Sequence, residues 1–255
     1  PLPISTDRFI NALFTDASHL SKSNREKLLS ELHTIASDMQ DVELNVSLYD
    51  IFTEEEMRAV YNLNNRRMTL HNGDEIINKG IAARCATSLW NRIEDDADAA
   101  IARGGVGADL RFGHDTNLYR LMTLMGIDHK GKRKEEGGKS YDLMDEILPM
   151  AANLQMVFYR GKRKEEGGRR NDEVLVQLLL NEHPVEIGNL LPLSSFHLPQ
   201  YIYRWEDLKQ HVANRLHYLE HLRQLCALNT MVGTAPANTK TAGLFGKGSV
   251  EHGQT

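Results

Sequence analysis

The chain has 255 residues, of which 41% are hydrophobic and 25% are charged, and its formal net charge is −5 at pH 7. The length allows one large domain or two small ones, and the composition is that of an ordinary globular protein. The slightly acidic balance argues against nucleic acid or an anionic membrane as a partner. No apolar run approaches the roughly 20 residues of a membrane-spanning helix, and the first residues do not form a signal-peptide sequence.

The two cysteines, Cys85 and Cys226, are too few to define a disulfide framework. Each lies in a stretch with a helical pattern. We therefore expect free, partly buried thiols.

Residues 5–105 are predicted to be mostly helical. Ser23-Asn-Arg-Glu26 has the residue order of a capping box, which predicts a helix start. Thr53-Glu-Glu-Glu56 predicts another, with acidic side chains in the first turn, where the helix dipole stabilises them. A third helix is expected over about residues 78–102, because apolar residues recur there on one face.

A polar stretch, residues 64–73, lies between two of these helices. It carries Arg66, Arg67 and His71, whose side chains could reach a polyanionic substrate. The alternative interpretation is a solvated loop without a role in binding, because runs of charged residues usually face water.

A strand-to-helix junction is predicted near the centre of the chain. Residues 109–112 alternate polar and apolar side chains, which is typical of a β-strand, and Gly113 permits a tight exit. A helix is expected to begin at Asp115 or Thr116 and to end at Gly126. Ligands of α/β proteins gather at such junctions, and helix N-termini attract anions.

His114 and Asp115 occupy this junction. A histidine can donate hydrogen bonds to a phosphoryl oxygen, and a neighbouring carboxylic acid can protonate a departing alkoxide. Single His-Asp pairs are common, however. The residues alone therefore also allow a packed turn histidine beside an aspartate that only caps the helix.

The C-terminal half is predicted to contain both strands and helix. Residues 153–160 and 174–180 are rich in β-branched and long apolar side chains and are expected to pair as an antiparallel hairpin. A final helix is expected from Trp205 to about Leu228. Residues 229–255 are rich in Ala, Gly and Thr and are expected to be disordered.

The predicted final helix carries His211, His217 and His221. The last two have i, i+4 spacing, but a metal site needs a third ligand and an open cleft. A surface or interfacial role is therefore favoured, and no metal is predicted.

An octapeptide, Gly-Lys-Arg-Lys-Glu-Glu-Gly-Gly, occurs at residues 131–138 and again at residues 161–168. One interpretation is a polybasic patch that binds phosphates or another protein. The other is an interchangeable loop, and we expect both copies to be exposed and mobile because nothing in them can be buried.

Several motifs in one order carry a resemblance to a known family. The sequence Phe-Gly-His-Asp-Thr-Asn-Leu at residues 112–118 resembles the C-terminal His-Asp motif of the histidine acid phosphatases. Further stretches are similar to the multiple inositol polyphosphate phosphatase branch, and together the matches span roughly residues 5–224. These stretches are SLYDIFTEEE at 47–56, PMAANLQMVFYR at 149–160, LLNE at 179–182 and YRWEDL at 203–208.

The resemblance implies an α/β phosphatase fold with a helical cap. Residues 5–105 would form the cap region, residues 106–228 the C-terminal part of the α/β domain, and residues 229–255 a disordered tail. The implied reaction is phosphomonoester hydrolysis through a phosphohistidine, with inositol phosphates as substrates and with no metal or organic cofactor. The implied location is periplasmic or secreted.

The resemblance also assigns roles to single residues. His114 would bind the phosphoryl oxygens, and Asp115 would protonate the leaving oxygen and then activate water. Thr116, Arg111, Arg66 and Arg67 are weaker candidates for substrate binding.

The sequence departs from the family pattern in two places. The family's nucleophilic histidine lies in an N-terminal Arg-His-Gly-x-Arg-x-Pro motif, and no Arg-His-Gly occurs in this sequence. We therefore expect the chain to be the C-terminal part of a phosphatase, with the missing N-terminal segment as its partner. Many inositol polyphosphate phosphatases have His-Ala-Glu where this chain has His-Asp-Thr at 114–116, which leaves the position of phosphate removal open.

Two other interpretations are compatible with the sequence. A non-catalytic helical interaction module, or an inactive fragment that keeps a phosphate site, explains the missing nucleophile. An enzyme similar to phosphoglycerate mutase shares the phosphohistidine chemistry, but it fits the matches over residues 149–208 poorly.

Overall fold

The structure is a computed structural model that describes most of the chain. The described residues are 2–43, 45–73, 78–104, 107–127, 133–136, 139–160, 163–164, 170–171, 173–193 and 200–233. The helices are α1 (Asp7–Leu13), α2 (Lys22–Asp38), α3 (Glu54–Met68), α4 (Ile81–Cys85), α5 (Thr87–Arg103), α6 (Asp115–Met125), α7 (Met144–Ile147) and α8 (Trp205–Gly233). The strands are β1 (Arg133–Glu136), β2 (Lys139–Asp142), β3 (Leu154–Arg160), β4 (Arg163–Lys164), β5 (Arg170–Asn171), β6 (Val174–Leu180), β7 (His183–Pro184) and β8 (Ile202–Arg204). This mixture of helices and antiparallel strands confirms the predicted α/β class.

The predicted helix start at Thr53 is confirmed, and a capping box forms there. The Thr53 hydroxyl accepts a hydrogen bond from the Glu56 amide (3.2 Å), and a Glu56 carboxylate oxygen accepts one from the Thr53 amide (2.9 Å). Arg8 of α1 donates to the same carboxylate through Nε (2.9 Å). Burial alone would raise the pKa of Glu56, but the hydrogen bonds from Arg8 and Thr53 lower it. The cap therefore also fastens α1 to α3.

Two predicted helix boundaries are wrong. Helix α2 begins at Lys22 because Ser21, with extended backbone, accepts the hydrogen bond of the Asn24 amide (3.2 Å). The proposed box at 23–26 therefore lies inside the helix. The single helix expected over 78–102 is divided at Ala86, which ends α4 and precedes α5.

The predicted hairpin is confirmed, and it forms the centre of the main sheet. Strands β3 and β6 pair antiparallel along their whole length, from Leu154 opposite Leu180 to Arg160 opposite Val174. On the other side of β6, β8 pairs with its first half and β7 with its end. The central strand β6 is accordingly the most buried.

The first copy of the octapeptide was predicted to be a loop, and this is wrong. Residues 133–136 pair with residues 139–142 as β1 and β2. Although residues 133–136 all have charged side chains, their backbone groups form the hydrogen bonds of an antiparallel strand pair. In the second copy, β4 pairs with β5 as a separate two-stranded sheet. The expected exposure and mobility of both copies lie outside what the described residues cover.

Buried apolar side chains form two clusters. The first joins α1, α2 and the N-terminal half of α3, with Phe9 stacked on Phe52 at 5.3 Å between ring centroids. The second joins α4, α5, α6 and α8 with the main sheet. At its centre Trp205 contacts Trp90 (5.8 Å) and Phe158 (5.1 Å). Because α4 and α5 belong to the second cluster, the proposed division at residue 105 stays a prediction.

The remaining expectations concern the thiols and the end of the chain. Cys85 is free and exposed, not partly buried, because the neighbouring Ala82, Ala83 and Ala86 occupy the buried face of the helical stretch. The side chain of Cys226 lies outside the described part. Helix α8 continues to Gly233, into the segment expected to be disordered, and residues 234–255 lie outside the described residues. Among the helices described, none is long and apolar enough to cross a membrane.

Replacement of Thr53 by alanine removes the hydroxyl that caps α3. We expect the free energy of unfolding to fall by about 0.5–2 kcal/mol in urea denaturation. Thr53→Ser keeps the hydroxyl and is the matched control. If the alanine and serine variants were equally stable, the cap would contribute nothing measurable.

Candidate active site

The segment before His114 is not the strand that its alternating residues predicted. Residues 107–114 have no regular secondary structure, and none of the described strands pairs with them. Leu110 is 77% exposed and Phe112 is 94% exposed. Alternating side chains give a segment the capacity to form a strand, but a strand also needs a partner with which to share backbone hydrogen bonds.

The predicted start of the following helix is confirmed. Helix α6 begins at Asp115, with His114 in extended conformation before it (φ −80°, ψ 152°). The His114 carbonyl accepts hydrogen bonds from the amides of Asn117 (3.0 Å) and Leu118 (3.4 Å). The backbone therefore changes direction at His114, as the sequence indicated.

Both side chains at this junction face outward. His114 and Asp115 are exposed, and the His114 side chain does not cap the helix. His114 is therefore not the packed turn histidine of the alternative interpretation. Asp115 accepts a hydrogen bond from the Thr116 amide at 2.6 Å, so its carboxylate does contact the first turn of α6. The N-terminal end of the helix, which attracts anions, lies directly beside an accessible imidazole.

Arg111 already has two anionic partners. Its Nη2 lies 2.5 Å from a carboxylate oxygen of Asp96 on α5 and 2.9 Å from one of Asp109. Burial acts to lower the pKa of Arg111, but the two carboxylates raise it above its usual value. The guanidinium is thus held against α5.

Arg66 and Arg67 lie in the last turn of α3, and the predicted loop 64–73 is wrong. Helix α3 continues to Met68 and is followed by one π-helical turn, Thr69–Gly73, that contains the exposed His71. The helix continues because no Gly or Pro interrupts it before Gly73. Within the described part of the chain, Arg66 and Arg67 form no ion pair and do not contact His114 or Asp115.

The π-helical turn holds the middle of α6. Arg120 Nε donates to the Asn72 side-chain oxygen (2.8 Å), and the Thr123 hydroxyl donates to the Asn72 carbonyl (3.1 Å). The contact between Asn72 and α6 was not predicted from the sequence. The only available signal was that Asn72 and Gly73 could end a helix, which says nothing about α6.

The C-terminal end of α6 is held by side chains of α8. Arg215 donates to the carbonyls of Leu124 (Nε, 2.6 Å) and Thr123 (Nη2, 2.8 Å). His211 lies with Nε2 3.0 Å from the Met125 carbonyl. Gly126 then adopts the left-handed conformation (φ 70°, ψ 33°), as predicted for a helix stop. The Thr123 carbonyl also accepts a hydrogen bond from the Gly126 amide (3.2 Å), whereas side chains of α8 supply the partners of the Leu124 and Met125 carbonyls.

The histidines of α8 have different surroundings. His211 is buried, whereas His217 and His221 are exposed. Burial lowers the pKa of His211; the hydrogen bond to Met125 opposes this, and the charge of Arg215 adds to it. His211 therefore donates to Met125 as a neutral imidazole. Among the described residues, no group of three His, Cys, Asp or Glu side chains could hold a metal ion.

A family model described as the histidine phosphatase superfamily (branch 2) matches residues 6–181. The chain belongs to this superfamily. The match runs from the first helix through β6 and includes the His114–Asp115 junction, so it confirms the family that the motifs predicted. Membership indicates a phosphatase that acts on a phosphorylated substrate. No curated protein matches the sequence.

Replacement of Gly126 by alanine tests the end of α6. The backbone there is left-handed, and an added Cβ would lie 3.3 Å from Arg215 Nε. We expect a loss of about 1–2 kcal/mol in the free energy of unfolding, since left-handed backbone is unfavourable for residues with a Cβ. Gly107→Ala is the control because a Cβ there meets nothing within 4 Å. Equal stability of the two variants would contradict the assigned geometry.

The buried His211 should make stability depend on pH. Its pKa is lowered in the folded protein, so the unfolded chain, with a pKa near 6.5, binds more protons. Stability is therefore complete above about pH 6.5 and falls as the pH drops through the folded pKa. His211→Gln keeps a donor for Met125 but does not titrate, so we expect a shallower pH dependence in denaturation titrations. The exposed His217→Gln on the same helix is the matched control.

Proposed function

We propose that the chain provides the phosphate-binding and proton-donating half of a phosphomonoesterase. The observation that carries the proposal is the exposed His114–Asp115 pair at the N-terminal end of α6, in a member of a phosphatase superfamily. His114 donates a hydrogen bond to a phosphoryl oxygen, and the positive end of the helix dipole stabilises the negative charge.

Asp115 serves as the general acid in this proposal. An ionised carboxylate would repel the phosphate, whereas a protonated one removes this repulsion and supplies a proton. When a nucleophilic histidine attacks phosphorus, the bond between phosphorus and the ester oxygen breaks, and Asp115 gives its proton to that oxygen. The resulting carboxylate then accepts a proton from the water that attacks the phosphohistidine.

The nucleophile would come from a segment that contains Arg-His-Gly, which this sequence lacks. Residues 107–113 support such a partner because their backbone is unpaired among the described residues and Leu110 and Phe112 are exposed. A neighbouring strand would cover both side chains and bring its own residues next to His114.

We further propose that the substrate carries several phosphates, with inositol phosphates as the leading class. Arg66 and Arg67 are cations without ion-pair partners in the described part of the chain, so they are able to bind additional phosphates. Thr116 lies beside the pair and offers a hydroxyl. Arg111 is the weakest of these candidates, since its charge is compensated by Asp96 and Asp109.

A non-catalytic function is the second candidate. The absence of any Arg-His-Gly in the sequence favours it, because a histidine phosphatase without a nucleophile can bind phosphate but cannot form a phosphohistidine. In that case the chain would bind inorganic phosphate through His114, and addition of the missing segment would not produce turnover.

The role of Asp115 is tested by phosphate release after the Arg-His-Gly segment is supplied. We expect Asp115→Asn to slow hydrolysis of an inositol phosphate by about 10²- to 10⁴-fold, the usual contribution of general acid catalysis. Hydrolysis of an aryl phosphate should slow much less, because its leaving oxygen needs little protonation. The exposed Asp95→Asn on α5 is the matched control.

Equal slowing of both substrates would identify Asp115 as a structural cap of α6. The chain without the added segment should turn over neither substrate. Efficient turnover by that chain would mean that one of its own residues is the nucleophile and would overturn the proposed division of labour.

A further inference from the structure

The two ends of α6 differ sharply in their surroundings. At the C-terminal end, the carbonyls of Thr123, Leu124 and Met125 accept hydrogen bonds from Arg215 and His211 of α8. At the N-terminal end, His114 and Asp115 are exposed, and among the described residues no side chain of another element forms a hydrogen bond or an ion pair with them. The contacts that α6 makes with the π-helical turn and with α8 therefore contribute to the position of the pair.

Arg215 is the stronger of the two attachments. Its guanidinium binds two successive carbonyls, at 2.6 Å and 2.8 Å, and one side chain that binds at two points fixes direction as well as distance. The guanidinium also lies against Gly126, where a Cβ would approach it to 3.3 Å. The positive charge sits at the negative end of the helix dipole, which stabilises this arrangement.

A change at this end is transmitted along the helix. Helix α6 has 11 residues, which at 1.5 Å per residue corresponds to a rod of roughly 16 Å. A tilt of about 5° at the C-terminal end would move His114 and Asp115 by about 1 Å, enough to weaken a hydrogen bond or misalign a proton transfer.

We propose that Arg215 is a positioning residue: it holds α6 in the orientation that presents His114 and Asp115 to a phosphoryl group. This inference rests on the proposed function, because it presumes that His114 binds phosphate. Arg215 lies roughly 100 residues from the pair in sequence, and in this proposal it acts through the carbonyls of α6 that it binds.

The test uses the chain itself and inorganic phosphate as the probe. Phosphate affinity is measured by NMR titration for the unaltered chain, Arg215→Ala, Arg215→Lys, His114→Ala and the double variant with both alanines. Circular dichroism and thermal unfolding identify the temperature range in which every variant is folded. Arg223→Ala is the control, since Arg223 is an exposed arginine on the same helix that pairs with Glu220.

We expect Arg215→Ala to weaken phosphate binding by about 3- to 10-fold, the size of the loss when one hydrogen bond to the phosphate is weakened. Arg215→Lys, which keeps the charge but loses the two-point contact, should restore part of the affinity. In the His114→Ala background the same Arg215→Ala change should have no further effect, because the residue through which Arg215 acts is already missing. Hydrogen exchange of the amides of residues 116–118 should become faster in Arg215→Ala.

The failures of the two proposals have different signatures. If the unaltered chain does not bind phosphate, or binds it equally well after His114→Ala, the proposed function fails, and the inference fails with it. If binding depends on His114 but not on Arg215, only the inference is overturned. The inference is also overturned if Arg215→Ala weakens binding by the same factor with and without His114, since Arg215 would then act independently.

Discussion

The structure depends on how the backbone carbonyls at the C-terminal end of α6 obtain hydrogen-bond partners inside the second cluster of buried side chains. Tyr119, Met122 and Met125 of α6 are completely buried, so water cannot reach that end of the helix freely. An unpaired buried carbonyl costs about 1–3 kcal/mol, and a helix leaves four such groups at its end. The Met122 carbonyl accepts from the Ile127 amide at 3.0 Å, and Arg215 and His211 supply partners for the next three. Helix α8 must therefore lie across the end of α6.

The main sheet is tied to the same point. The Gly126 carbonyl accepts from the Gly188 amide at 2.8 Å, and Ile127 forms a β-bridge with Ile187. The Ile187 amide in turn donates to the buried hydroxyl of Tyr203 on β8 at 2.9 Å. These contacts leave the opposite end of α6 as its only solvent-exposed end, with the positive end of the helix dipole and an imidazole side by side. A helix that is buried at one end and open at the other is suited to bind an anion, which agrees with membership of a phosphatase superfamily.

Local signals in the sequence predicted the elements that local interactions determine. The bounds of α6, the helix start at Thr53 and the hairpin of β3 and β6 follow from caps, glycine positions and periodicity, and all agree with the structure. Features that depend on distant partners could not be found in this way. Residues 109–112 have the pattern of a strand but no strand beside them among the described residues, and the first octapeptide copy pairs although its charge suggested a loop. The contacts of Arg215 with α6 join residues that lie roughly 90 positions apart in the sequence. Neither the residue types nor their spacing predicts such contacts.

Arg111 is better suited to hold the segment before His114 in place than to contact a substrate. The ion pair between Arg111 and Asp96 holds residues 107–113, the segment before His114, against α5. Helix α5 is fastened to α8 by Asp98, which accepts hydrogen bonds from the Trp205 indole (2.6 Å) and the Lys209 ammonium (3.1 Å). Helix α8 holds the end of α6 through Arg215. His114 is thus connected to one pair of packed helices from both sides, through the segment before it and through the helix after it. If the guanidinium of Arg111 left Asp96 to bind a phosphate, it would release one of these two connections, together with its ion pairs to the half-buried Asp96 and the exposed Asp109. Arg66 and Arg67 form no ion pair among the described residues. They are therefore the better candidates to bind the additional phosphates of the proposed polyanionic substrate.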